Sequence, residues 1–347
     1  MRSPWAWRRR PLTLPGASSQ ASSADPTCVV HIVREVNGLD WLREFAEALR
    51  ANPPGVNYEL VLAMKGFASP ARARPYLDEV ADLAPETLFF EDRGFDIGTY
   101  LAVAARLRRH RYCFLKCQCR PLVAGWLAKL DAALERPGVG QAGATGARTS
   151  MHSWLMYSTG LPSAYRSLLP PRREIRELIA AMQVEQGVIE RPPSLAHSIR
   201  MRLQTLPHVP EELFGFAPFP TPHLRSTAFV ITHAALSELR LFVVRTKIDT
   251  FALESGRQNI TSQLERLGCT SLVADRTGAV YRPEQWHRSR TFMQGGQEDL
   301  LVAENQTLSY ARADFAGRRF LSRCAWGSHA DPAPPRGDPL DAAPAGG

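Results

Sequence analysis

The sequence has no uninterrupted apolar run of ~18 residues, so no transmembrane helix is predicted. It has few cysteines, six in 347 residues: Cys28, Cys113, Cys117, Cys119, Cys269 and Cys324. Their spacing is not that of a secreted disulfide framework, and a reducing cytoplasm is the compartment this implies. Nor do they spell a zinc site, because Cys113, Cys117 and Cys119 have no second pair and Cys113 falls within a strand-like run. No aromatic–basic interleaving of the kind that reads RNA is present, which leaves nucleic acid without a motif to hold it. The first residues, Met1 to Asp25, carry Trp5, Trp7 and Arg8-Arg9-Arg10 but no apolar core of a signal peptide. Residues 1–26 are expected to form a disordered arm, with basic and aromatic groups suited to peripheral contact with the inner face of a membrane. Residues 327–347, rich in Pro, Ala, Gly and Asp, are expected to be a disordered tail.

What is present is an ordinary globular chain. Hydrophobic residues make up 44% of it, enough for a substantial core, and the formal net charge of +8 favours an anionic partner. Residues 27–326 read as one α/β domain. Strand-like runs at Cys28–Val33, Tyr58–Met64, Thr87–Phe90 and Tyr112–Leu115 alternate with helical segments, the pattern of a parallel sheet with helical crossovers. Helices are expected around Leu42–Leu49, over 70–83, after Asp96 and over Val123–Leu134, with a further strand at Val139–Thr145. Residues 150–212 change character: Ile175, Leu178, Ile179 and Met182 mark a helix among proline breaks, read as a helical insertion able to cover a site. Then come a loop at Phe214–Pro222, a strand at Thr227–Ile231, a loop at Asp249–Gly256, a helix at Ile260–Leu267 and a strand at Ser271–Ala274.

The chain is organised around Phe90–Pro121. The turn Glu91–Gly98 opens a helix whose apolar face is Ile97, Tyr100, Leu101 and Ala104. The buried strand after that helix stops at Lys116-Cys117-Gln118-Cys119-Arg120-Pro121. In open α/β sheets ligands bind beyond the carboxyl ends of the strands, so the turn and this loop are placed to meet one ligand. A second glycine pattern, Gly138-Val139-Gly140-Gln141-Ala142-Gly143, fits G-x-G-x-x-G, but it comes after a helix and opens none, so it is read as a closely packed strand.

Three motifs in this order carry a resemblance: Asp92-Arg93-Gly94-Phe95-Asp96-Ile97, His223-Leu224-Arg225-Ser226 and Glu254-Ser255-Gly256. With them the chain resembles, over residues 28–326, GT-A glycosyltransferases, and among these bacterial proteins of the rhamnan synthesis F type. The resemblance implies a GT-A-like (Rossmann-like), mostly parallel sheet flanked by helices. It further implies transfer of a sugar, with inversion, from a nucleotide-sugar donor to a polysaccharide or lipid-linked glycan acceptor. Such proteins meet the diphosphate through an Asp-x-Asp motif with a divalent cation, manganese or magnesium. Here that position reads Cys117-Gln118-Cys119, and thiols do not suit a hard cation. Two readings stay open: a metal-independent enzyme in which Lys116 and Arg120 neutralise the diphosphate, or a catalytically inactive binding protein.

Within that frame Asp92 and Asp96 are read as partners of the base and ribose, against the alternative of an N-cap and a turn carboxylate. Gly94 shapes the turn, and Lys116, Gln118, Arg120, His223 and Arg225 are the other substrate-binding candidates. Glu254 is the candidate general base at a helix start, and Asp249 its rival.

Overall fold

The computed structural model of the chain describes residues 9–16, 25–185 and 213–333. Eight strands form one sheet: β1 (Thr27–Arg34), β2 (Tyr58–Lys65), β3 (Glu86–Phe90), β4 (Arg111–Leu115), β5 (Val139–Gly143), β6 (Phe229–Thr232), β7 (Thr270–Ala274) and β8 (Val280–Tyr281). Their order across the sheet is β8-β7-β5-β6-β4-β1-β2-β3. β1 pairs in parallel with both β2 and β4, and β2 with β3. β6 lies antiparallel between β4 and β5, β7 is parallel to β5, and β8 is antiparallel to β7. The α/β sheet with helical crossovers expected from the alternation of elements is observed and is mostly parallel, but β6 and β8 run antiparallel in it. Gly138–Gly143 runs into β5, and no helix opens directly after it.

The strands read as continuous apolar runs because both faces of the sheet are covered. In β1, Val29 and Val33 join one core with Phe45, Leu62, Trp126 and Leu130, while Cys28, Val30 and Ile32 join the other with Tyr100, Phe114 and Leu253. The first core lies under α1 (Asp40–Ala51), α2 (Pro70–Glu79) and α4 (Trp126–Leu134); the second lies under α3 (Phe95–Leu107) and the helices after β6. The expected insertion begins with α5 (Met151–Thr159) and α6 (Arg172–Glu185), and residues 186–212 lie outside the described residues. After β6 come α7 (His233–Ser237), α8 (Lys247–Ser255) and α9 (Ile260–Arg266), and the chain closes on α10 (Asn305–Arg312) and α11 (Phe315–Trp326).

Three segments depart from expectation. Asp249–Gly256 is not a loop but most of α8, nucleated by a capping box between Thr246 and Asp249. Its buried polar residues, Asp249, Thr250, Glu254 and Ser255, hide the helical period. Residues 9–16 of the supposed N-terminal arm form a strap: Pro11–Leu12 pairs with Leu241–Phe242, Leu14 is buried, and His233 Nε2 meets the Pro15 carbonyl at 2.7 Å. The start of the supposed tail is packed too: the Asp331 N–H donates to Gln294 at 2.7 Å, and His329 stacks on His287. Because Leu14 closes the second core, Leu14→Ala should cost about 2 kcal/mol, read as a lower midpoint in urea unfolding. An unchanged midpoint would mean that the strap rests on the surface without stabilising it.

Candidate functional site

The strand order reverses between β1 and β4, since β1 continues outward to β2 and β3 while β4 continues to β6. At such a switch point the connections leave in opposite directions and open a crevice at the carboxyl edge of the sheet. A cleft of about 970 Å³ lies there. Arg34 at the end of β1, Lys65 at the end of β2, the Glu91–Asp96 turn after β3 and Lys116–Gln118 after β4 all line it. Across from them stand Arg225, Val244, Arg245, Lys247, Thr250 and Glu254, with Asn305 and Gln306 at the start of α10.

The turn after β3 is fixed by two glycines. Gly94 caps α3 with φ +75°, the left-handed region that glycine enters without steric cost. A Cβ on Gly98 would lie 3.1 Å from that of Val244, so glycine there lets α3 approach the opposite wall of the cleft. Asp92 is gripped at both carboxylate oxygens by Arg34, at 2.9 and 2.6 Å, and the Arg34 hydrogen bond holds its carboxyl below the usual range. Lys65, only 1% exposed, donates to the Phe95 carbonyl at 2.8 Å and stands 3.9 Å from Asp92; burial pulls its pKa down. Asp96 faces Lys116 at 3.9 Å.

Cys117 and Cys119, just after β4, are free thiols. Asn37 donates to Cys117 Sγ at 3.0 Å, and the Lys116 backbone N–H donates to Cys119 Sγ at 3.2 Å. Burial raises both thiol pKa values, so both stay protonated near neutrality. Among the described residues no group of three or more His, Cys, Asp or Glu is arranged to hold a metal. The donor set here does not fit a magnesium or manganese ion.

The opposite wall is built around Arg225, which is buried, with its guanidinium 5.0 Å from the centre of the Phe292 ring. Its two terminal nitrogens point at two buried carboxylates, Glu254 at 3.6 Å and Glu304 at 3.8 Å, and its Nε has no hydrogen-bond partner. Neither oxygen of Glu304 has one either, nor have Ser226 Oγ, Thr227 Oγ1 and Thr250 Oγ1 nearby in sequence or in the cleft wall. Glu254 accepts the Ser226 backbone N–H at 2.9 Å. Burial pushes its carboxyl pKa up, but the charges of Arg225, Lys116 and His223 and the Ser226 bond outweigh this and set it at about 2. Glu254 sits in the last turn of α8, not at a helix start, where a negative charge opposes the helix dipole and needs such partners.

The structure thus brings together Asp92, Gly94, Asp96, Lys116, Gln118, Arg225 and Glu254. It does not bring in the other three. Arg120 pairs with Glu44 at 3.1 Å, and Asp249 is consumed by its capping box and by Arg9 at 2.9 Å. His223 is buried behind the wall with Nδ1 2.7 Å from the Thr221 carbonyl, its pKa lowered by burial to about 4. Trp286 and Phe292 are core residues, both in one buried cluster with Trp326. Sequence reasoning passed over Arg34, Lys65 and Glu304. The first two end strands at the carboxyl edge of the sheet, the same signal that singled out Lys116; Glu304 carries no such signal.

His223 makes stability depend on pH. Its folded pKa lies below that of the unfolded chain, so its contribution is full above pH ~6.5 and is lost as pH falls toward 4. His31, stacked on Phe45 with both ring nitrogens unpartnered and its pKa lowered by burial to about 3, acts in the same direction. The thermal midpoint should therefore fall steadily below pH 6.5, with His223 alone accounting for roughly 3 kcal/mol by pH 4. A midpoint flat from pH 7 to 4.5 would contradict this.

No protein-family model matches the chain, and no curated protein does. Among solved structures it is similar to glucosyl-3-phosphoglycerate synthase from Mycobacterium tuberculosis in complex with Mn2+, UDP and phosphoglyceric acid, with 12% identity and a TM-score of 0.34. That alignment covers 73% of this chain and 70% of the other. It is similar also to core-mannan synthase A from Aspergillus fumigatus in its Mn/GDP form, with 9% identity, 70% and 73% coverage and a TM-score of 0.31. GalNAc-T7 with UDP, GalNAc and Mn2+ aligns at 18% identity and a TM-score of 0.27 over 34% of this chain. The chain spans only 22% of the length of the GalNAc-T7 structure and 39% of that of a Pyrobaculum calidifontis mannosyltransferase.

Proposed function

We propose that the chain is a GT-A-like glycosyltransferase of the rhamnan synthesis F type, transferring a sugar from a nucleotide-sugar donor to a polysaccharide or lipid-linked glycan acceptor with inversion. The observation that carries this reading is the charge of the switch-point cleft. Seven cationic side chains line it against four carboxylates, and one of those carboxylates, Glu254, is buried beside Arg225 and across from Lys116. A cleft of that sign and place suits a nucleoside diphosphate. In the reaction the acceptor hydroxyl oxygen bonds to the anomeric carbon from the face opposite the diphosphate. The bond from that carbon to the diphosphate oxygen breaks, its electron pair leaves with the diphosphate, and the hydroxyl proton passes to Glu254. Lys116 and Arg225 neutralise the departing charge. No step is routed through a metal, since the thiols of Cys117 and Cys119 do not fit one.

Transfer would occur at the cytoplasmic face of a membrane; among the described residues no helix is long and apolar enough to cross one. A non-catalytic binding protein of surface-polysaccharide synthesis is the second reading. It is favoured by Cys117-Gln118-Cys119 and by the weak basicity of Glu254.

A panel of nucleoside diphosphates and nucleotide-sugars tested by thermal shift decides whether the cleft is a nucleotide site. The matching ligand at ~100 Kd should stabilise by about 2.7 kcal/mol. The shift should survive EDTA and shrink in Lys116→Ala. If no nucleotide raises the midpoint, both readings fail; if one does but no sugar is released or transferred, the second stands.

A further inference from the structure

Arg225 has the geometry of a group that is held and not satisfied. Its terminal nitrogens stand 3.6 and 3.8 Å from the Glu254 and Glu304 carboxylates, beyond hydrogen-bond range, and its Nε has no partner. It lines the cleft, as do Lys116 and Glu254. The charged and titratable groups facing Glu254 are Arg225 on the same wall, Lys116 from the β4 side and His223 behind it; Glu304 lies on the far side of Arg225. Arg225, Lys116 and His223 outweigh burial and make Glu254 a poor proton acceptor. An efficient general base at neutral pH needs a much higher proton affinity.

We propose that Arg225 is an exchange residue: a diphosphate entering the cleft draws its guanidinium away from Glu254 and so converts Glu254 from an ion-pair partner into the proton acceptor. The inference rests on the reading of the cleft as a nucleotide-sugar site. Its physical basis is that a phosphate oxygen offers Arg225 the short, charge-assisted hydrogen bonds that neither carboxylate now gives it. Once Arg225 and Lys116 are neutralised by the ligand, two of the influences holding the Glu254 proton affinity down are cancelled. Burial, which favours the protonated acid, is left to act, and the phosphate charge adds to it. Donor binding would thus switch on the base, and an acceptor arriving first would meet a carboxylate unable to take its proton.

The test measures proton uptake on ligand binding by titration calorimetry in buffers of different ionisation enthalpy. The probes are inorganic pyrophosphate and UDP, between pH 7 and 5. Wild type should take up more protons than Glu254→Gln on binding either probe, the difference growing toward one proton as pH falls. Asp96, which faces Lys116 at 3.9 Å, is intact in Glu254→Gln, so the difference between the two proteins belongs to Glu254. Glu304→Gln should keep the uptake. Should Glu254→Gln not fold, carboxyl 13C NMR of wild type gives the same answer: one more glutamate should titrate above pH 4 with pyrophosphate bound than without. Equal uptake in wild type and Glu254→Gln, or no additional titrating glutamate, overturns the exchange while leaving a nucleotide site intact. No binding of either probe by wild type overturns the functional reading beneath it.

Discussion

Glu254→Gln should lower turnover by about 10²–10⁴, the range typical for losing a general base, while donor affinity stays within a few fold of wild type. The amide keeps the shape of the side chain and still accepts the Ser226 N–H, so the backbone after Arg225 stays in place. What it loses is charge. Arg225 retains Glu304 at 3.8 Å, so stability should fall by only about 1–2 kcal/mol. Turnover can be followed as nucleoside diphosphate release with the donor identified by thermal shift. Two outcomes count against this assignment. Turnover within threefold of wild type would remove Glu254 from the chemistry, and Asp249 would not replace it, because its carboxylate is engaged by Arg9 and by the N–H groups of Arg245 and Thr246. A collapse of the fold would make Glu254 a structural partner of Arg225 and favour the non-catalytic reading.

The sheet was legible because its strands are buried on both faces, which leaves unbroken apolar runs such as Cys28–Val33 and Tyr112–Leu115 between turn signals. The chain beyond β5 was less so. β6 runs antiparallel between β4 and β5, a pairing that no local pattern specifies. Helix α8 escaped notice for a reason connected with the site. Thr250 and Glu254, the residues that break its apolar period, are polar because they line the cleft. The Glu91–Asp96 turn and Lys116–Gln118 could be found because they are close in sequence and both end at the carboxyl edge of the sheet. Applied evenly, the same rule also selects Arg34 and Lys65. Glu304 could not be found this way: it reaches Arg225 only because the chain returns through Val302–Ala303, which pairs with Arg120–Pro121. The strap was hidden by Arg8-Arg9-Arg10 and its prolines, although Leu12 and Leu14 keep the alternation of a short edge segment.

Arg225→Met should be the most damaging single substitution in the cleft, and in two separable ways. It leaves Glu254 and Glu304 buried with no cation between them, and breaking a buried ion pair from one side costs about 3–5 kcal/mol. Part of that cost is avoided if Glu254, freed of the Arg225 charge and still buried, takes up a proton, so the loss should be smaller at pH 5 than at pH 8. It also removes a cation that faces the proposed diphosphate, and affinity for UDP or pyrophosphate should fall at least about tenfold, or 1.4 kcal/mol. A triple variant, Arg225→Met with Glu254→Gln and Glu304→Gln, separates the two effects. Neutralising both carboxylates removes the uncompensated charge, so urea unfolding should recover to within about 1–2 kcal/mol of wild type. Ligand affinity should stay low, because nothing has restored the guanidinium. If the triple variant binds pyrophosphate as wild type does, Arg225 serves only to hold the two glutamates and the diphosphate lies elsewhere. If it remains as unstable as Arg225→Met alone, the cost lies in the lost packing against Phe292 and not in stranded charge.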